Sequence, residues 1–172
     1  DYVFDGEGTR PWEPDDPVVK PLNVYGQTKY EGELAVEKYT DKYYIVRIAW
    51  VFGVNGKNFI KTMLNLGETH NTLTVVDDQV GTPTYTYDLA RLLVDMLEKD
   101  AYGKYHVTNE GGYITWYEFA KEIFAIYESL GRPDDFIHIN FLDMDNTHTI
   151  NPLLSGSALA IYEILIALLI GE

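Results

Sequence analysis

The stretch YYIVRIAWVFG, positions 43–53, constrains this chain more than any other. It is β-branched and aromatic almost throughout and stops at Gly53, which is how a strand reads. A strand with one wet face alternates apolar and polar residues. This one is nearly continuous, so it predicts burial on both faces, as in a parallel sheet covered by helices. Helical patterns surround it. A helix is expected from near Tyr25 to about Thr40, with Thr28 and Glu31 at capping-box spacing. NFIKTMLNLGE places Phe59, Met63 and Leu66 on one face. A third helix is expected from about Thr86 to Lys99, with Leu89, Leu92, Leu93 and Met96 as its stripe. A fourth, opened by the capping box of TWYE at 115–118, carries Trp116, Phe119, Ile123, Tyr127 and Leu130 at helical spacing. LTVV (73–76), KYHVTN (104–109) and FIHINF (136–141) read as shorter strands. Residues 5–21, with Pro14, Pro17 and Pro21, and DDQVGTPTYT (77–86) read as loops. Strands alternating with helices predict an α/β fold with a mainly parallel sheet.

The bulk numbers narrow the function. The 172 residues suffice for one domain with a sizeable core. The net charge of -14 repels nucleic acid and anionic membrane, so an anionic ligand needs a local basic pocket. There is no cysteine, which excludes disulfides, thiolate chemistry and Cys-based zinc sites; a reducing cytoplasm is permitted. His70, His106, His138 and His148 are scattered without metal-ligand spacing, so no metal site is expected. DYVFDGEG at the start has neither the basic opening nor the apolar run of a signal peptide. It reads as a strand end, and the chain is expected to be part of something longer. The tail from Ala158 to Ile170 is apolar except for Glu163. It is short for a bilayer span and apolar all round, which predicts a helix buried or packed on a partner.

One pair carries chemistry. In NVYGQTKYEGE, Tyr25 and Lys29 stand four apart where a helix begins, so both lie on one face. An ammonium beside a phenol favours phenolate and lowers a pKa that is otherwise about 10. Such a tyrosine can donate a proton to a carbonyl oxygen while hydride arrives at carbon. The alternative is an ordinary helix start: composition alone supplies roughly one such pair. A second, Tyr117 and Lys121 in TWYEFAK, reads as part of an amphipathic helix.

The blocks DYVFDGEGTRPWEPDDPV, PLNVYGQTKYEGE, RIAWVFGVNGKNFIKTML, DDQVGTPTYTYDLA and GKYHVTNEG, in that order, resemble the dTDP-4-dehydrorhamnose reductases, members of the extended short-chain dehydrogenase/reductase group. The resemblance covers about residues 1–128 and implies a partial Rossmann-like fold with a substrate-binding portion, followed by an atypical segment, 129–172. It implies NADPH or NADH as cofactor and reduction of the 4-keto group of a dTDP-6-deoxy-sugar in dTDP-L-rhamnose synthesis. It implies a dTDP-sugar as partner, with no nucleic acid and no membrane, admits a homodimer, and places the enzyme in the cytoplasm. Tyr25 then matches the catalytic acid, and Lys29 the lysine that lowers its pKa and binds the cofactor ribose. Tyr2 and Trp50 match positions lining the sugar site. Asn58 and the stretch from Gln79 to Tyr85 match a region near the substrate nucleotide, where a helix N-terminus suits a diphosphate. Arg47, Lys57 and Lys61 are the local cations, Arg47 reading equally as a buried strand residue with a carboxylate partner. Trp50 reads equally as a core aromatic, Tyr2 as a strand end, and 79–85 as a rigid Pro/Gly turn.

Two departures stand against the family pattern. No glycine-rich dinucleotide turn follows a strand in this chain; in the family it lies in an N-terminal half, and the catalytic Ser or Thr precedes the DYVF stretch by one position. Beyond about residue 129, including LLSGSALAIYEILIALLIGE, the resemblance stops. The expectation is therefore a chain inactive alone. The alternatives are a non-catalytic regulatory protein of reductase-like fold, such as the regulatory subunit of methionine adenosyltransferase, or a nucleotide-sugar epimerase or dehydratase.

Overall fold

A computed structural model of the chain describes residues 2–8, 10–19, 21–131 and 138–141, together with Ile161, Ile164 and Leu165. Its elements run α1 (Val24–Tyr39), β1 (Tyr44–Arg47), β2 (Val51–Phe52), α2 (Phe59–Gly67), β3 (Thr72–Val75), β4 (Val80–Gly81), β5 (Thr84–Tyr85), α3 (Thr86–Leu97), β6 (Gly103–His106), β7 (Ile114–Thr115), α4 (Trp116–Ser129) and β8 (His138–Phe141). Three of the four described strand pairs are parallel, β1 with β6, β2 with β5 and β3 with β8; β4 with β7 is antiparallel. The fold is α/β with mainly parallel pairing.

The chain forms two compact units. The first comprises residues 1–49 and 89–107, the second 50–88 and 108–172. In the first unit, β1 and β6 pair from Tyr44 opposite Gly103 to Arg47 opposite His106. Helix α1 starts at Asn23, whose side-chain oxygen accepts from the Gly26 N–H at 2.8 Å. The Thr28–Glu31 capping box is therefore not formed. Thr28 lies inside the helix, where its hydroxyl donates to the Tyr25 carbonyl, and Glu31 accepts from the Gln27 amide. Asn23 wins because its extended backbone is what an N-cap requires.

The second unit holds the larger core. Phe52, Ile60, Phe119, Ile123 and the tail residues Ile161, Ile164 and Leu165 are buried together. Those three tail residues are helical and buried; the rest of the tail lies outside the described residues. The capping box of α4 forms as read: Thr115 accepts from the Glu118 N–H, and Glu118 accepts from the Thr115 N–H. Asn58 caps α2 through the Lys61 N–H.

The run 43–53 is not one strand. It breaks into β1 and β2 at Trp50, whose φ of 47° lies in the left-handed region that a non-glycine residue enters only at a cost. A second difference concerns α3. Its expected stripe is not buried: Leu92 and Leu93 keep 39% and 37% of their surface exposed, and no residue of the helix is buried. The 77–86 loop contains β4 and β5, two-residue strands too short to leave a period in the sequence.

Candidate active site

Tyr25 stands in the first turn of α1, 59% exposed, with the Lys29 Nζ 5.2 Å from its ring centroid. Lys29 is exposed and forms no ion pair among the described residues. The Tyr117–Lys121 pair has nearly the same separation, 5.6 Å from Nζ to the ring centroid. What separates the pairs is access. Tyr117 is 6% exposed and belongs to the core of the second unit. Burial, helped by Asp77 and Glu118, pushes its phenol up to about 12. A proton donor must reach its acceptor, and of the two phenols the Tyr25 ring is the accessible one.

The rest of the first unit fixes what surrounds Tyr25. The Tyr2 ring meets the Tyr25 ring edge-on, with centroids 6.0 Å apart. This approach needs Gly26: a Cβ there would lie 2.0 Å from the Tyr2 carbonyl oxygen. Arg47 is not a cation awaiting an anion. Its Nε and Nη2 donate to the two Glu33 carboxylate oxygens at 2.9 and 2.7 Å, and both side chains are nearly buried. This is the carboxylate-partnered strand residue the sequence left open.

In the second unit, Trp50 lies against other aromatics. Its ring stacks on Trp116 with centroids 3.6 Å apart, and it covers Gly81, where a Cβ would fall 2.6 Å from the indole. The aromatic contact and the left-handed backbone occur at the same residue, the kind of strain that clusters at functional sites. Tyr85 is buried, its ring stacked on Phe52 and its N–H donating to the Asn109 side chain at 2.6 Å. Gln79 and Lys57 are exposed. Asn58 is half-buried and committed on both ends of its amide, to the Lys61 N–H and the Gly53 carbonyl. Lys61 points its ammonium at the Val54 carbonyl. The Thr84 hydroxyl, deep in this unit, has no hydrogen-bond partner among the described residues.

The model of the RmlD substrate-binding domain matches residues 1–137. The chain belongs to the RmlD substrate-binding-domain family. Among its relatives is the spore coat polysaccharide biosynthesis protein SpsK of Bacillus subtilis, 46% identical over 123 residues, a span covering 72% of this chain and 42% of that one. Among solved structures, a dTDP-4-dehydrorhamnose reductase from Clostridium acetobutylicum superposes with a TM-score of 0.81 at 37% identity, covering 98% of this chain and 63% of that one. A dTDP-4-dehydrorhamnose reductase from Bacillus anthracis in complex with NADP gives a TM-score of 0.72 at 30% identity, covering 99% of this chain and 62% of that one. The chain thus spans less than half the length of the curated relatives it matches. These solved neighbours agree with the Rossmann-like reading of the fold.

For this member of the RmlD family, the sequence puts Tyr25 and Lys29 on one helix face and groups Tyr2 with Trp50; in the structure Tyr25, Lys29 and Tyr2 lie together in the first unit. Trp50, Asn58, Gln79 and Tyr85 all lie in the second. Four residues were missed. Asn23 could have been found as a capping residue type just before VYGQ. Gly26 could have been found as a glycine in a helix, where it needs a reason. Glu33 continues the four-residue spacing from Tyr25 and Lys29. Asn109, which bridges the Tyr85 N–H and the Asp88 carboxylate, leaves no local signal. No metal-ligating cluster occurs among the described residues, and no helix among them is long and apolar enough to cross a membrane.

Proposed function

We propose that this chain supplies the proton donor and much of the substrate wall of an NAD(P)H-dependent ketoreductase, acting on the 4-keto group of a dTDP-6-deoxy-sugar in dTDP-L-rhamnose synthesis. The observation that carries the proposal is the exposed Tyr25 with Lys29 beside its ring, in a chain of the RmlD family. The residues present suit the nicotinamide end of a cofactor. Lys29 has three N–H donors and no ion-pair partner among the described residues, so it can hold ribose hydroxyls. When bound, the reduced nicotinamide supplies the hydride that adds to C4.

The chain's own part is proton transfer and placement. Tyr25 gives its phenolic proton to the C4 oxygen as negative charge develops there, leaving a phenolate that takes a proton back from solvent. The Lys29 ammonium, on the same helix face, stabilises that phenolate. Tyr2, edge-on to Tyr25, lines the sugar side. In the second unit, Trp50, Asn58, Gln79 and Tyr85 serve the sugar and nucleotide. Residues 1–128 are assigned to the reductase part, and 129–172 to an atypical C-terminal segment. The setting is cytoplasmic, and a homodimer fits the reading.

The test uses a protein of the relatives' full length that contains this chain. Tyr25→Phe is expected to lower kcat for keto-sugar reduction by about 10²–10⁴-fold and to leave NADPH affinity largely unchanged. Near-normal turnover of that variant would remove Tyr25 from the acid role.

A further inference from the structure

Tyr25, Lys29 and Glu33 stand four apart and so run along one side of α1. The third is fastened, because Glu33 holds Arg47 through two bonds. The remaining Arg47 nitrogen, Nη1, donates to the Pro14 carbonyl and faces the His106 Nε2, each at 3.2 Å. A guanidinium only donates, so the Nε2 facing it carries a lone pair. The other ring nitrogen, Nδ1, lies 2.9 Å from the Trp12 carbonyl, which only accepts, so Nδ1 carries the proton. His106 is neutral in this arrangement and both its nitrogens are engaged.

The same knot gathers the segment that leads to Tyr2. Trp12 stacks on Phe4 at 4.6 Å between centroids, Phe4 meets the His106 ring edge-on at 5.7 Å, and the Arg47 guanidinium lies 5.1 Å over Phe4. Two residues before Phe4 is Tyr2, pressed against Gly26 and edge-on to Tyr25.

We propose that His106 is a positioning residue: in its neutral form it latches the 2–16 segment onto β1 and β6, and so holds Tyr2 against Tyr25. A proton on Nε2 would make that nitrogen a donor facing a donor, with two like charges in contact. The groups facing His106 are Arg47 from β1, Glu33 from α1, and Glu13 and Asp16 from the segment itself. Glu33 is already doubly engaged by Arg47, and Asp16 by Arg10 and the Glu13 N–H. Burial holds the imidazole below its usual value, Arg47 acting in the same sense and the Trp12 carbonyl, Glu13 and Glu33 against it.

The latch concerns the placement of Tyr2, and no substrate or cofactor enters its test, so it stands or falls apart from the reductase reading. In the 172-residue chain labelled at histidine and tyrosine, nuclear Overhauser contacts between the Tyr2 and Tyr25 rings are followed together with the His106 nitrogen shifts, from about pH 8 to about pH 5. At the upper end the proton is expected on Nδ1. The ring contact is expected to be lost in step with His106's own titration, at a midpoint below about 6.5. His106→Asn keeps an amide donor near the Nδ1 position and has nothing to titrate, so in that variant the contact should persist across the range. A Tyr2–Tyr25 contact that survives while His106 protonates overturns the proposal. So does a contact that His106→Asn loses at the same pH as the unaltered chain. Should His106→Asn not fold, the titration of the unaltered chain decides alone.

Discussion

Arg47 and Glu33 are 8% and 10% exposed and meet through two short bonds. A buried pair of this kind is costly to halve, because the survivor is left charged without a partner. Arg47→Met is therefore expected to lower the unfolding free energy by about 3–5 kcal/mol, read by urea denaturation. Arg47→Met with Glu33→Leu should cost less than Arg47→Met alone. Gly26 makes a different demand. A methyl group there would overlap the Tyr2 carbonyl, so Gly26→Ala should cost about 1–3 kcal/mol, the usual range for forced overpacking. It should also weaken the ring contact between Tyr2 and Tyr25. Tyr25 and Lys29 could be read from the chain because helix spacing is a local property. Gly26 stands out only as a glycine inside a helix, and its reason, like that of His106, lies far along the chain: a backbone two dozen residues upstream for the one, a carbonyl 94 positions away for the other.

At the scale of elements, α1 carries two apparent starts, Asn23 and the Thr28–Glu31 spacing, and only Asn23 has the extended backbone of a cap. Asn23→Ala should therefore cost about 0.5–2 kcal/mol of stability. Thr28→Ala, which removes only a hydroxyl turned back onto its own helix, should stay within about 0.5 kcal/mol of the unaltered chain. Equal losses in chemical denaturation would refute this assignment of the cap. Helices α2 and α4 are legible because apolar residues recur at helical spacing along them and a capping residue stands at the start of each, whereas α1 buries only Gly26 and Glu33 and its cap, Asn23, is easily passed over. The break between β1 and β2 is not legible. A continuous apolar run reads as a strand whatever its backbone does, and the left-handed turn at Trp50 goes with a stack on Trp116, 66 residues further on. The stripe of α3 was read correctly as a pattern, but a pattern does not say whether anything covers it.

At the scale of the whole molecule, the two units carry separate reporters, Trp12 in the first and Trp50 with Trp116 in the second. Burial keeps His106, in the first unit, below its ordinary value. The unfolded chain then binds a proton that the folded unit refuses, so stability rises with pH in that window. The contribution is complete above about 6.5 and is lost as pH falls from there through the folded value. Asp16 adds a second step further down: Arg10 holds its carboxyl at about 2, so its contribution is complete above the usual carboxylate range and fades towards that value. With fluorine-labelled tryptophan, lowering the pH from about 7.5 to about 5.5 should move the urea midpoint of Trp12 more than those of Trp50 and Trp116. Equal shifts at all three would count against the buried neutral imidazole. The parallel pairing of β1 with β6, Tyr44 opposite Gly103, bears on how such a protein is made. A ribosome adding about 5–20 residues per second delivers β1 roughly 3–12 s before its partner, and must emit much of the second unit in between. During that interval the edge of β1 that β6 will occupy is bare, and the nascent chain depends on chaperones or on speed to keep it from pairing elsewhere.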